Sequence, residues 1–393
     1  MKKDSLYLVS TVLALFVVGR FLGGTLLSNN WSFTHFQYLP GWYGIVWLIL
    51  TVGLSVLAVR CAERIDRLSL TQRTVVPSLV GILGLLILAG IDSFVTGAGN
   101  VRVAQIAQAD TVILRWFEFG TIGVVTALHS VFTVLGASDT GGAVLAWRVF
   151  AYLCSALALV GAARLAGELT KQSGRRILYF VLIFFGGHSL VTFGFVGVEA
   201  VLIPLVVWLG VWINRLQIKR TPKGLAALWL IVAAGVVMYA GAAIVLPAVV
   251  YASLASFVGK KQRAYAPHTL ALLTLAALLF LLYNGAANSL ELSARVLAVQ
   301  GKAPFQDYGL FSGRHLGDVF QLLFLLVPIL FAATLLVLRR GFRSPNSRVV
   351  GGVWWLAVGG AVGMFVLDPV NSIVLDLPRF AAFLTPCALL ATV

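Results

Sequence analysis

Two acidic residues in apolar surroundings are the first candidates for chemistry. Asp92 ends an apolar run in GIDSFVTGAGN, and Glu199 lies in FGFVGVEAVLIPL with no Lys or Arg within a dozen residues. A carboxylate in such a setting is costly unless it has a partner or a task, such as binding a divalent cation or acting as a general base. The structural alternatives are an Asp that only ends a helix and a Glu that is hydrogen-bonded to a helix terminus. Both residues are candidates for catalysis.

Two later segments carry cations that suit an anionic ligand. Arg314 and His315 lie in FSGRHLGDVF, and Arg379 lies in DPVNSIVLDLPRF. Guanidinium and imidazolium groups bind phosphate through charge-assisted hydrogen bonds, so these three residues are candidate phosphate ligands. Two alternatives stay open. Arg314 and Asp318 have the i, i+4 spacing of an ion pair on a helix, and Arg379 has the long side chain that snorkels to a membrane interface.

The remaining histidines and the cysteines show no ligand spacing. His129 and His188 are isolated in apolar segments, which is typical of packed, hydrogen-bonded side chains. The three cysteines, Cys61, Cys154 and Cys387, have no CxxC or His-rich spacing. This pattern argues against a disulfide framework, haem attachment or a zinc site. We expect no haem and no redox cofactor.

The composition indicates that these candidate residues are positioned by transmembrane helices. The chain has 393 residues, of which 60% are hydrophobic and 11% charged, whereas a soluble domain carries about 25% charged residues. Apolar runs of membrane-crossing length predict an all-α, polytopic membrane protein with about twelve spans. The last of these spans is incomplete. We place them at 5–28, 42–62, 75–92, 143–166, 178–194, 197–213, 224–240, 243–258, 268–284, 315–338, 350–367 and from 380 to the end.

The distribution of charge predicts the orientation. Of the 29 Lys and Arg, 21 fall in alternate loops and at the N-terminus, which places that set in the cytoplasm and the protein in the cytoplasmic (inner) membrane. The net charge of +15 is therefore a topology signal, and we expect membrane lipid but no nucleic acid as a partner. Ten of the 14 acidic residues fall on the opposite side. Any chemistry that depends on carboxylates is predicted to face outward.

The apolar segment 119–136 does not fit this alternation as a further span. Counting it would place the basic segments 171–176, 215–220 and 260–263 outside, against the charge rule. We therefore predict that it is an interfacial or re-entrant helix within a long outer loop, residues 93–142. A loop of this length within a compact protein is usually functional or disordered, and its few Ser and Pro favour order.

The order of these features resembles the GT-C superfamily of membrane glycosyltransferases, which includes protein O-mannosyltransferases and lipid A aminoarabinose transferases. The resemblance rests on Asp92 after a span, the outer loop with surface helices, the segment AWR at 146–148, the Glu199 segment, and the late segments around Arg314 and Arg379. The segments around Arg314 and Arg379 are similar to late segments of uncharacterised bacterial members of this superfamily. The resemblance covers residues 75–393 and leaves 1–74 as two additional N-terminal transmembrane helices.

This resemblance implies an inverting transfer of a sugar from a polyprenyl-phosphate donor to an acceptor on the extracytoplasmic face. It implies that Asp92 is the base or a metal ligand, that Glu199 is the second-loop carboxylate, and that Arg314 or Arg379 holds the donor phosphate. A divalent cation, Mg²⁺ or Mn²⁺, would be held by Asp92 and Glu199. The chain carries Ser93 where many members have a second acidic residue, so a transfer without metal stays open.

The competing class is a non-catalytic multi-pass protein. It would be an accessory subunit of a larger membrane protein complex or a transporter of lipid-linked sugars. A transporter is expected to carry ionisable residues along a path through the membrane and pseudo-repeated halves. The sequence shows few such residues within its spans and no internal repeat. An accessory subunit with a degenerate transferase fold would keep the same topology.

Overall fold

The described part of the chain is entirely helical. The computed structural model describes residues 98–108, 118–171, 197–219, 221–257, 308–327, 347–366 and 377–392, together with single positions in 176–183 and at 330. No strand occurs among them. Its helices are α1 (Ala98–Ala107), α2 (Phe119–Val134), α3 (Asp139–Leu169), α4 (Leu202–Ile218), α5 (Pro222–Met238), α6 (Leu246–Phe257), α7 (Gly313–Leu326), α8 (Ser347–Val366) and α9 (Leu377–Thr392), with short 3-10 helices at Val198–Val201 and Ala240–Val245.

Two segments within the described ranges are long and apolar enough to cross a membrane. They are Asp139–Leu169 and Val198–Ile218. Four shorter apolar helices, at Phe119–Val134, Pro222–Met238, Ala240–Leu254 and Val350–Phe365, accompany them. The all-α class is confirmed for these residues. The expected spans at 5–28, 42–62, 75–92 and 268–284, and the division at residue 74, lie outside the described residues.

Helices α3 and α4 run parallel and form the centre of the bundle. The indole nitrogen of Trp208 donates to the carbonyl of Leu157 at 3.0 Å, and Arg215 of α4 bonds Glu168 near the end of α3. Gly161 lets α4 approach closely, because a Cβ there would lie 3.0 Å from a methyl group of Val207. These contacts define two ends of the bundle. We call them the Glu168 end, where α3 and α4 finish, and the Glu199 end, where α4 begins.

Both 3-10 helices lie at the Glu199 end. The first leads directly into α4, and the second joins the last residue of α5 to the first of α6. This second break falls within the segment YAGAAIVLP at 239–247. Helix α8 packs against it so closely that a Cβ on Gly359 would clash with the carbonyl of Ile244. Helix α9 returns along α8, with Cys387 beside the carbonyl of Ala357.

Helix α2 confirms the predicted helix within 119–136 and folds back onto α3. The turn between them uses Gly136 at φ +93°, which favours glycine because the residue has no Cβ. Ser138 then caps α3 by accepting from the amide of Gly141. At its other end α2 meets α5, where the Thr121 hydroxyl donates to the carbonyl of Met238 at 2.9 Å. Helix α2 therefore begins at the Glu199 end.

Candidate functional site

A buried ion pair is the centre of the first polar group. The Arg102 guanidinium donates from Nη1 to Oε1 of Glu118 at 2.5 Å. The Glu118 side chain is fully buried, and that of Arg102 is 14% exposed. A charged pair this far from solvent needs its partner, since an unpaired charge in such surroundings is costly. We name Arg102, Glu118, Glu199 and Tyr239 the Arg102 cluster.

The electrostatics of Arg102 show that the other two members lie close to it. Burial lowers the pKa of the Arg102 guanidinium, but the hydrogen bond and charge of Glu118 oppose this effect. The carboxylate of Glu199 and the hydroxyl of Tyr239 act in the same direction as Glu118, and the pKa of Arg102 is raised overall. Two carboxylates therefore surround one permanent cation.

Each member of the Arg102 cluster sits where a helix begins, ends or is short. Arg102 projects from α1, whose Val103 and Ile106 are buried in the core. Glu118 directly precedes α2, Glu199 lies in the first 3-10 helix, and Tyr239 ends α5. Helix breaks supply backbone groups that helical hydrogen bonds leave unpaired, and these suit a polar site in an apolar bundle.

The second carboxylate oxygen of Glu118 gives this cluster a capacity to bind. Within the described residues, Oε2 of Glu118 is buried and makes no hydrogen bond. A carboxylate accepts hydrogen bonds at both oxygens. The cluster can therefore accept a hydroxyl or amine hydrogen from a ligand that reaches it.

A second polar group surrounds the first turn of α7. His315 is fully buried; its Nε2 lies 2.9 Å from the carbonyl of Phe365 and its Nδ1 lies 3.2 Å from the hydroxyl of Tyr308. The same hydroxyl donates to Oδ2 of Asp318 at 3.0 Å. Arg314 is exposed, with its guanidinium carbon 6.0 Å from the centre of the Tyr308 ring. We name these residues the Tyr308 cluster.

Both clusters lie at the Glu199 end. Helix α8 passes the second 3-10 helix through Gly359 and Gly363 and then reaches His315 through Phe365. Phe383 of α9 meets the ring of Tyr239 at 6.5 Å between centroids. The fold thus brings the predicted residues Glu199, Arg314 and His315 to one end of the bundle.

Two other predicted site residues are Arg379 and Asp92. Arg379 lies in the first turn of α9, which begins at the Glu199 end. Asp92 lies outside the described residues, so its proximity to Glu199 stays a prediction. The pairing of Arg102 with Glu118 was not foreseen. The sequence does carry a signal for this pair. Glu118 comes directly before the apolar segment 119–136, and Arg102 lies upstream in a weakly amphipathic stretch.

Glu199 is the described member of the pair predicted to hold a divalent cation, and its surroundings do not suit one. Arg102 is close enough to Glu199 to respond to its charge, and a guanidinium repels a metal ion. Within the described ranges, no three side chains of His, Cys, Asp or Glu converge. These residues do not form a cation site by themselves, and the chemistry proposed below uses none.

The opposite end carries a different kind of polar group. Glu168 accepts from Arg215 and from the amide of Asn214, and lies 3.6 Å from Arg164. Further basic residues lie at the same end of the bundle. These include Lys171, Arg176, Lys219 and Lys223. Among the described residues at this end, cations outnumber carboxylates, which is the reverse of the Arg102 cluster.

The described fold is thus that of a helical protein with two helices of membrane-crossing length. Comparison of the chain with models of protein families, with curated proteins and with solved structures finds no match to any of them.

Proposed function

We propose that the chain is a GT-C-like glycosyltransferase of the cytoplasmic membrane that moves a sugar from a polyprenyl-phosphate donor to an acceptor on the extracytoplasmic face. The observation that supports it most is the collection of Glu118 and Glu199 around Arg102 at the same end of the bundle as Arg314. Basic residues accumulate at the other end, and the positive-inside rule assigns that end to the cytoplasm. Both clusters then face outward.

The Arg102 cluster suits the base that an inverting transfer requires. A carboxylate takes the proton of the acceptor hydroxyl, whose oxygen then bonds the anomeric carbon. The bond from that carbon to the phosphate oxygen breaks, and polyprenyl phosphate leaves with the electron pair. In this proposal Glu199 and Asp92 supply the base, and Glu118 orients the acceptor through its second oxygen. Arg102 keeps the carboxylates close together.

The Tyr308 cluster suits the phosphate of the donor. Arg314 is exposed beside Tyr308, and Arg379 begins the neighbouring α9. Guanidinium groups stabilise the charge that develops on a leaving phosphate. Because both nitrogens of His315 already have partners within the protein, we assign it to positioning the first turn of α7.

A transfer assay on the full chain in lipid nanodiscs tests this proposal. The probes are polyprenyl-phosphate hexoses and pentoses, with a membrane extract as the source of acceptors, and the release of polyprenyl phosphate is measured. We expect Glu199→Gln and Asp92→Asn each to lower turnover by about 100-fold or more, since each loses a base and keeps its shape. Glu168→Gln, the same change at the opposite end, is the matched control and should retain turnover.

Equal turnover in Glu199→Gln and the unmodified chain would remove Glu199 from the mechanism. An absence of turnover with every donor, in a chain that is folded, would favour the non-catalytic class instead. That class predicts that Glu199→Gln leaves a parent complex active, whereas changes to exposed apolar residues such as Val134, which is 87% exposed, disrupt its assembly.

A further inference from the structure

Three hydrogen bonds connect His315, Tyr308, Asp318 and the carbonyl of Phe365. If His315 is neutral and Asp318 is ionised, these residues carry one hydrogen too few to form all three bonds. A backbone carbonyl only accepts, so the bond between His315 and Phe365 places a hydrogen on Nε2 of His315. Two further bonds join Tyr308 to Nδ1 of His315 and to Oδ2 of Asp318. Each needs one hydrogen, and the hydroxyl of Tyr308 carries only one. The second hydrogen comes from the imidazole or from the carboxyl group.

We propose that Tyr308, His315 and Asp318 form a proton-binding site in which the bound proton resides on His315. In this arrangement the imidazolium donates from Nδ1 to the oxygen of Tyr308, which in turn donates to the carboxylate of Asp318. The proton goes to the histidine because imidazole is a stronger base than a carboxylate. Asp318 is half-buried and keeps some contact with solvent.

Among the described residues, the ionisable groups nearest to His315 lie in its own segment. From its own segment it faces Tyr308 and Asp318, with Arg314 beside the Tyr308 ring. Helix α8 contributes the Phe365 carbonyl and ring, at 5.2 Å from the imidazole centroid, and its described side chains, 350–365, include no ionisable group. Helix α9 also packs on α7; its described side chains, 382–390, offer only the thiol of Cys387, and Arg379 precedes them.

Loss of the proton has a structural consequence. With neutral His315 and ionised Asp318, Tyr308 has one hydrogen for two acceptors and must release one of them. The charge of the three residues also changes from zero to minus one beside Arg314. If Arg314 binds a phosphate, as the proposed function states, that binding weakens when the proton leaves. The proton site itself does not depend on the transfer reaction.

Nitrogen NMR on the full chain in lipid bilayers, labelled with ¹⁵N-histidine, reads the proton directly. The chain has 5 histidines, and His315→Gln identifies the signal of His315 by its loss. We expect that signal to show two protonated nitrogens at acidic pH and to convert to the neutral Nε2–H form between about pH 5 and 8. Because the test measures the proton, its result is independent of whether the chain transfers a sugar.

Two variants test the participation of the partners. Tyr308→Phe removes the oxygen that accepts from the imidazolium, and Asp318→Asn removes the charge that it pairs with. In each we expect the transition of His315 to move to lower pH by about one unit, which is about tenfold weaker proton binding. His129 is the internal control. Its Nε2 bonds the carbonyl of Asp139 at 3.0 Å, and its signal should not move in either variant.

Two results would overturn the proposal. One is a His315 signal that stays neutral at every pH at which the chain is folded. The other is a transition that lies at the same pH in the unmodified chain and in the variants. Asp318→Asn keeps the test decisive if Tyr308→Phe does not fold, because Asn is close to Asp in shape and donates to the oxygen of Tyr308 in place of the missing proton.

Discussion

At the scale of single residues, the stability of the Arg102 cluster depends on a charge pair that solvent hardly reaches. The fully buried carboxylate of Glu118 faces a guanidinium of which only 14% is exposed. Burial removes the hydration of both ions, and only their mutual attraction and hydrogen bond offset this loss. Burial lowers the pKa of Arg102, and the hydrogen bond and charge of Glu118 raise it. Removing one partner therefore lowers the stability of the folded chain more than removing both.

We expect Arg102→Met to destabilise the chain by about 3 to 5 kcal/mol, because Glu118 is left as an unpaired buried charge. The measurement is the midpoint of thermal unfolding in detergent or nanodiscs. Adding Glu118→Met to the variant should recover most of the loss, since a buried ion pair is replaced by apolar groups of similar volume.

The matched control for this change is Lys223→Met, which removes an exposed cation at the Glu168 end. Its effect should be within about 0.5 kcal/mol, as for most surface substitutions. If Arg102→Met and Lys223→Met shift the midpoint equally, the ion pair contributes nothing specific to stability.

At the scale of elements, glycines allow helices to pack closely against the 3-10 helices at the Glu199 end. Gly359 brings α8 against the second 3-10 helix, at the carbonyl of Ile244. Phe365 lies six residues after Gly359 in α8, so this contact also fixes the position of the Phe365 carbonyl relative to His315. Since protein interiors are packed as densely as organic crystals, the two elements have no free space in which to adjust.

We expect Gly359→Ala to destabilise the chain by about 1 to 3 kcal/mol, because the added methyl group clashes with a backbone carbonyl and forces α8 away. The shift of the unfolding midpoint measures this effect. The His315 resonance should change as well, since Phe365 moves with α8.

Gly317→Ala is the control within α7. A Cβ at Gly317 would meet nothing within 4 Å, and Ala is favoured over Gly in a helix by about 1 kcal/mol. Gly317→Ala should therefore be neutral or stabilising. A loss of stability in Gly317→Ala as large as that in Gly359→Ala would show that close approach to Ile244 is not the cause.

At the scale of the whole molecule, the two ends of the bundle differ in charge. The Glu168 end collects cations around one carboxylate, and the Glu199 end collects carboxylates around Arg102 together with the Tyr308 cluster. The positive-inside rule therefore predicts that the Glu168 end faces the cytoplasm. Orientation decides on which side of the membrane the proposed chemistry occurs.

We expect Lys171→Cys to resist an impermeant thiol reagent applied from outside and Thr140→Cys to react. Both positions are exposed, one directly after α3 and the other in its first turn. Labelling of intact cells, with Cys61 replaced by Ser to lower the background, makes the comparison. Cys154 and Cys387 are buried. Reaction of Lys171→Cys from outside, with Thr140→Cys silent, would reverse the orientation.

The sequence by itself determined the helical class, because the length of apolar runs is a local property that each segment carries alone. It also indicated the helix within 119–136, since the apolar character of that segment is local in the same way. Glu199 stands out by its apolar neighbours, and Arg314 and His315 stand out as adjacent groups that can bind an anion.

Only the tertiary structure decided which polar groups meet. Arg102 and Glu118 are 16 residues apart, and His315 and the carbonyl of Phe365 are 50 apart. Contacts over such separations depend on how the helices pack, which no local pattern encodes. The same packing gives His315 two partners within the protein, the hydroxyl of Tyr308 and the carbonyl of Phe365. A buried polar group takes whichever partner the fold brings to it, because leaving it unpaired costs more than any local preference.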